Sequence, residues 1–185
     1  MINLKTLGVV SFLLIAAPFV HAQSEPAAEA ALKEYGLALK AYDTRKMADM
    51  MHPEAVQLMR ATMLKAFHGS NKDAAAAQLL PLFSVASVAE FEKLPSSEIY
   101  KRLNDYVGKA SPDLLTMMSS SSYEIVGSVL KEGLAYVTYN LKISTKGKDF
   151  GSQEVQKLKL HEGKWMLLLP TSSEQSIKAI ETQFP

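Results

Sequence analysis

Leu134-Ala135-Tyr136-Val137-Thr138-Tyr139-Asn140-Leu141-Lys142-Ile143-Ser144 decides the fold class. Ala135, Val137, Tyr139, Leu141 and Ile143 fall on one face, with Thr138, Asn140 and Lys142 on the other. That period of two is the mark of a half-buried strand. The flanks extend it into a sheet. Tyr123 to Leu130 is rich in branched residues, and Lys131-Glu132-Gly133 makes the turn. Thr145-Lys146-Gly147-Lys148-Asp149 reads as a polar hairpin, followed by a third strand from Ser152 to His161. There Val155 breaks parity with Leu158 and Leu160, which places a β-bulge near Gln156. Glu162-Gly163 turns into an apolar fourth strand, Lys164 to Leu169, which Pro170 stops. Short polar loops between successive strands make neighbours antiparallel. Thr171-x-x-Glu174 and Ser172-x-x-Gln175 both read as capping boxes, so a C-terminal helix is expected over Ser173 to Gln183. Its buried side is Ile177, Ile180 and Phe184.

Ahead of the strands the period changes to that of helices. Ala28, Leu32, Tyr35, Leu39 and Tyr42 recur at steps of three and four, and Pro26 suits a first turn. Asp43 or Thr44 caps a short second helix through Met51. Pro53 forces His52 out of the α region and opens a third helix with Val56, Met59, Met63, Leu64 and Phe67 on its apolar face. Gly69-Ser70-Asn71 ends it, and a fourth helix runs from Lys72 to Leu80. After Pro81 and Pro95, the residues Ile99, Tyr100, Leu103, Tyr106 and Val107 make another helical face. Ser111-Pro112-Asp113 opens a last short turn through Met118, and Ser119 to Ser122 reads as a connector. The expectation is an α+β fold: N-terminal helices (26–118) packed on a curved antiparallel sheet of about four strands (123–170), with a short C-terminal helix (173–183).

The N-terminus carries an address. Met1 to Lys5 is a short positive start, Leu7 to Val20 is apolar and uncharged, and Val20-His21-Ala22 supplies small residues before a cleavage point. This is the layout of a secretory signal peptide over residues 1–22. The apolar run falls short of the roughly 20 residues that a bilayer span takes. Residues 23–185 then form one domain, periplasmic or secreted. A chain of that size buries about 70% of its unfolded surface. It must do so without disulfides, because it has no cysteine. A thiol nucleophile and a thiolate metal site are excluded on the same ground. Removing Lys5 leaves basic and acidic side chains in balance, so nothing drives the surface toward nucleic acid or an anionic membrane. No second stretch reaches membrane-spanning length.

Two stretches carry a family resemblance. One is Tyr35-x-x-x-Leu39-x-x-Tyr42-Asp43-x-x-x-Met47, followed by His52-Pro53-Glu54. The other is Ile125 to Leu168, closing on Gly163-Lys164-Trp165-x-Leu167-Leu168. Together they are similar to the first helices and the closing strands of the nuclear transport factor 2-like (cystatin-like cone) superfamily. The resemblance implies a cone: a bent sheet wrapped on a long first helix around a pocket. Asn71 to Met118 is a helical insertion relative to that pattern, and Ser173 to Pro185 an extension. The superfamily holds isomerases, dehydratases, cyclases and non-catalytic binding or assembly modules, so the fold alone does not fix function. Its ketosteroid-isomerase-like members use a tyrosine and carboxylic acids, and no local motif here places those roles.

The chemistry-bearing residues point the same way. His52, His68 and His161 show no metal-ligand spacing and read as turn or cap residues. No nucleophile elbow or phosphate loop occurs. Asp43 and Asp49 flank the short second helix, Asp43 reading as its cap, and Glu124 or Glu154 would matter only if turned into the cone. The tyrosines and methionines fit a pocket better than a reaction. Tyr35, Tyr42, Met47, Met63, Tyr139 and Trp165 are the expected ligand-binding residues. No catalytic residue, metal ligand or cofactor is expected. The leading expectation is an exported non-catalytic module with an apolar pocket for a hydrophobic small molecule or a segment of an envelope protein. The alternatives are a small isomerase, dehydratase or hydrolase using a buried carboxylate and a tyrosine, and a homodimeric assembly factor of the envelope. N-terminal sequencing of protein recovered from an envelope fraction should begin at Gln23; a chain still starting at Met1 would remove the export reading.

Overall fold

The computed structural model describes residues 25–145 and 148–185. The leader 1–22 and the hairpin tip Lys146-Gly147 lie outside the described residues. The fold is α+β. Helices α1 (Pro26–Ala41), α2 (Thr44–Asp49), α3 (Pro53–His68), α4 (Lys72–Leu79), α5 (Val88–Glu92), α6 (Ser96–Ala110) and α7 (Pro112–Ser119) come first. Strands β1 (Ser121–Lys131), β2 (Leu134–Thr145), β3 (Lys148–His161) and β4 (Lys164–Leu167) follow, and α8 (Thr171–Gln183) closes the chain. The strands form one antiparallel sheet in the order β1-β2-β3-β4.

Helix α1 lies on the inner face of that sheet. Ala135, Val137 and Leu158 on this face are fully buried, as the alternation of β2 demands. Gly36 faces Tyr123 of β1, and a Cβ there would meet the ring at 3.1 Å. The helix stops at Tyr42, whose φ of 51° is left-handed. A tyrosine in that region costs about 1–2 kcal/mol, so something must hold it. The Tyr42 hydroxyl donates to the Asn104 carbonyl at 2.8 Å. Its ring lies over Gly108, where a Cβ would come within 2.5 Å of Cε1. Asp43 then caps α2, accepting from the Lys46 N–H at 3.0 Å.

The segment between α2 and α3 guards one sheet edge. The Leu167 N–H donates to the Met50 carbonyl at 2.9 Å, and the His52 N–H donates to the Leu167 carbonyl at 2.8 Å. Pro53 makes this possible by holding His52 extended. Burial lowers the His52 pKa, which favours the neutral ring. Its Nδ1 accepts from the Glu54 N–H at 3.1 Å and caps α3.

The helical stretch 71–118 packs into the same core. Phe67, Phe83 and Phe91 meet edge to face at centroid distances of 5.1 and 4.9 Å. The Arg60 guanidinium donates to the carbonyls of Glu92 and Leu94, and Arg102 donates to that of Phe83. One contiguous set of buried residues runs from Ala28 in α1 to Phe184 beyond α8.

Four local readings need correction. The bulge is in β1, where the register slips between Ile125 and Gly127, while β2 and β3 pair without interruption. Parity fails in the third-strand sequence because Gln156 occupies an inward position. It is 6% exposed, and its Nε2 donates to the carbonyls of Leu168 at 2.7 Å and Lys157 at 2.9 Å. Ser121 and Ser122 belong to β1: Ser121 is 1% exposed and its hydroxyl donates to the Met118 carbonyl. The capping boxes do not form. Pro170 precedes α8 with no side-chain cap, and Glu174 pairs with Lys157 instead. A short helix α5, with Ser87 accepting from the Glu90 N–H, also interrupts a stretch read only as punctuated by prolines.

If this helical stretch shares one core with the sheet, Phe91→Ala should destabilise the whole chain by about 3–5 kcal/mol. Chemical denaturation should then show one transition at lower denaturant for both helix and tyrosine signals. An early, separate transition would mean that these helices fold apart.

Candidate functional site: a tyrosine-walled cleft

Between α1 and the inner face of the sheet a cleft of about 400 Å³ remains open. Leu32, Tyr35 and Leu39 of α1 form one wall. Tyr123 of β1, Tyr139 and Leu141 of β2, and Glu154 and Gln156 of β3 form the opposite one. Tyr100 of α6 closes one side, and Met51, Met118 and Leu167 add apolar surface. Pro170, Ser172 and Ser173 at the start of α8 border it as well.

The polar content of this cleft is mostly phenolic. The hydroxyls of Tyr35 and Tyr100 are 2.7 Å apart, sharing one hydrogen bond. Two hydroxyls carry two protons, so one remains for another acceptor. The rings of Tyr123 and Tyr139 lie tilted at 33° with centroids 5.7 Å apart. Burial, then the neighbouring Tyr100 hydroxyl, raises Tyr35 well above the usual tyrosine value. Burial likewise raises Tyr100 and Tyr123. Tyr139 is pushed up to about 12, by burial first and then by the nearby Tyr123 and Glu154. All four phenols are therefore neutral near pH 7: they donate hydrogen bonds and do not act as bases.

The expected binding residues divide. Tyr35 and Tyr139 line the cleft. Met47 and Met63 do not: at 1% and 3% exposure they fill the core. Tyr42 is spent on the α1–α6 contact described above. Trp165 lies in a separate shallow groove beside Ala27, Ala31 and Met50, its Nε1–H donating to Glu25 Oε1 at 3.3 Å. Among the methionines, Met51 and Met118 reach the cleft instead. Tyr100 and Tyr123 also line the cleft and are not among the residues expected from the sequence. Tyr100 sits on an apolar helix stripe that reads as core, and nothing in the local sequence says that it meets Tyr35.

The acids take ordinary places. Glu124 is on the outer face beside Lys142, at 3.7 Å. Glu154 borders the cleft but is exposed to solvent. His52 and His161 meet edge to face with centroids 5.4 Å apart, away from the cleft. Among the described residues no group of three or more histidine or acidic side chains gathers to hold a metal, and no described helix is long and apolar enough to cross a membrane.

No family model, curated protein or solved structure matches the chain. The cleft's own electrostatics make one prediction. The raised phenols stay protonated when folded but ionise near ~10 when unfolded. Their contribution to stability is thus complete below ~10 and is lost as pH climbs through the folded values. Stability should fall between pH ~10 and about 12, and Tyr139→Phe should lessen the fall. Equal alkaline slopes for both proteins would contradict this.

Proposed function

We propose that this chain is an exported, non-catalytic binding module whose cleft holds a hydrophobic small molecule bearing an oxygen acceptor. The observation that carries the reading is the pairing of apolar walls with the Tyr35–Tyr100 hydroxyls, which retain one proton to donate. The volume lies within the range of small-molecule sites, roughly 300–1,000 Å³. The leader sequence supports export. Helices followed by an antiparallel sheet, with α1 on its inner face, support kinship with the nuclear transport factor 2-like superfamily, where such a cleft would be the cone's pocket.

Catalysis is the weaker reading. A proton-transferring carboxylate works by being desolvated. Glu154, the carboxylate on the cleft wall, is open to water. Assembly through the sheet's other face is a second reading, favoured by Val129, Tyr136 and Val155 on that face, the two valines being exposed. Sedimentation of a strict monomer at high concentration would remove it.

Titration with the neutral dye Nile red tests the cleft directly. Its fluorescence should rise on saturable, one-to-one binding. Leu141→Trp or Leu39→Trp, each filling the cleft, should weaken binding at least about tenfold, the equivalent of ~1.4 kcal/mol. Unchanged affinity in both folded variants would place the dye elsewhere and defeat the proposal.

A further inference from the structure

A second cavity adjoins the first. It is an open groove of about 360 Å³ on the β1 side of α1. Its apolar surface comes from Gly36, Leu37 and the Tyr123 ring, and Leu37 is 67% exposed. Lys33 and Lys40 border it on α1, and Ser122 borders it on β1. The two lysines are two helical turns apart, about 10 Å along the axis, with Gly36 and Leu37 between them. Neither has an ion-pair partner among the described residues. The nearby acids are engaged elsewhere: Glu34 pairs with Lys46 at 2.9 Å, and Glu29 accepts from the Ser128 hydroxyl at 2.7 Å. This is an apolar groove with uncompensated positive charge along its rim.

Tyr123 lines both cavities and is the partition between them. Gly36 leaves the ring resting on helix backbone, where a methyl group would press it at 3.1 Å.

From this juxtaposition we infer that the outer groove is the anion subsite of the cleft, and that the ligand is an amphiphilic carboxylate. Its charged head lies over Gly36–Leu37 between Lys33 and Lys40. With the Tyr123 ring turned aside, its apolar body lies in the cleft among Leu32, Leu39 and Leu141, and an oxygen on that body accepts from the Tyr35–Tyr100 pair. The inference rests on the binding function proposed above and adds the charge of the ligand. Long lysine side chains suit it, because their stems cover apolar surface while the ammonium groups stay in water.

Decanoate and decanol separate the two ideas, since they share a chain and differ in the head. Calorimetric titration of the intact chain should show decanoate binding more tightly, and raised salt should weaken decanoate alone. The double variant Lys33→Gln/Lys40→Gln should lower the ratio of decanoate to decanol affinity roughly tenfold. Lys72→Gln/Lys178→Gln, remote on the surface, should leave that ratio where it was. Equal affinities with no salt dependence in the unmodified chain overturn the anion subsite while sparing the cleft, and need no variant to fold. An unchanged ratio in the folded Lys33/Lys40 variant does the same. Binding of neither probe removes both the subsite and the cleft function on which it rests.

Discussion

The seating of α1 on the inner face of the sheet is the constraint on which the rest depends. A helix on a sheet must bury a stripe of side chains, and here the stripe is uneven. Ala28 and Leu32 sink into the core, but Gly36 offers no side chain where the helix meets Tyr123. Tyr35 and Leu39 stay partly clear, as does Tyr139 opposite. The gap that results is the cleft. Tyr42 and Gly108 fix the far end of the helix, because the left-handed cap and the ring–glycine contact leave little room for rotation. The His52 segment anchors β4 from outside the sheet by backbone hydrogen bonds. Changing how α1 sits would therefore alter the cleft, its outer groove and the α6 contact together.

Much of this architecture was legible in the sequence because it follows from local rules. The alternation in β2 gave its buried face, with Ala135 and Val137 fully inside. Pro26, Asp43 and Pro53 marked helix starts that the structure keeps. What stayed hidden was non-local. Gln156 breaks the hydrophobic parity of β3 without breaking its register, because a buried amide can satisfy carbonyls that a leucine cannot. The true bulge, at Ile125-Val126-Gly127, sits in a run where apolar residues occupy both faces and periodicity carries no information. Capping-box residues stand in the first turns of α8, but Pro170 holds the cap position and Glu174 pairs with Lys157 across the fold.

The lining of the candidate cleft was half legible for a related reason. Aromatic and methionine content announced an apolar interior but not which of its members face a void. Met51, between α2 and α3, and Met118 of α7 border the gap, whereas Met47 of α2 and Met63 of α3 are buried in the core. Tyr35 and Tyr100 are 65 residues apart, and their shared hydrogen bond is a product of helix packing alone. Once formed, that pair suits recognition more than turnover. Two neutral phenols in a desolvated wall can donate a hydrogen bond to a ligand oxygen, yet neither gives up its proton readily.

Under the proposed function the chain carries a small molecule in the space beneath α1. Native mass spectrometry of protein purified from its own cells bears on it most directly. A discrete mass excess over the polypeptide, lost on denaturation and recovered as a small hydrophobic compound bearing oxygen, is the expected result. A folded protein that flies at its bare polypeptide mass, before and after denaturation, would contradict it.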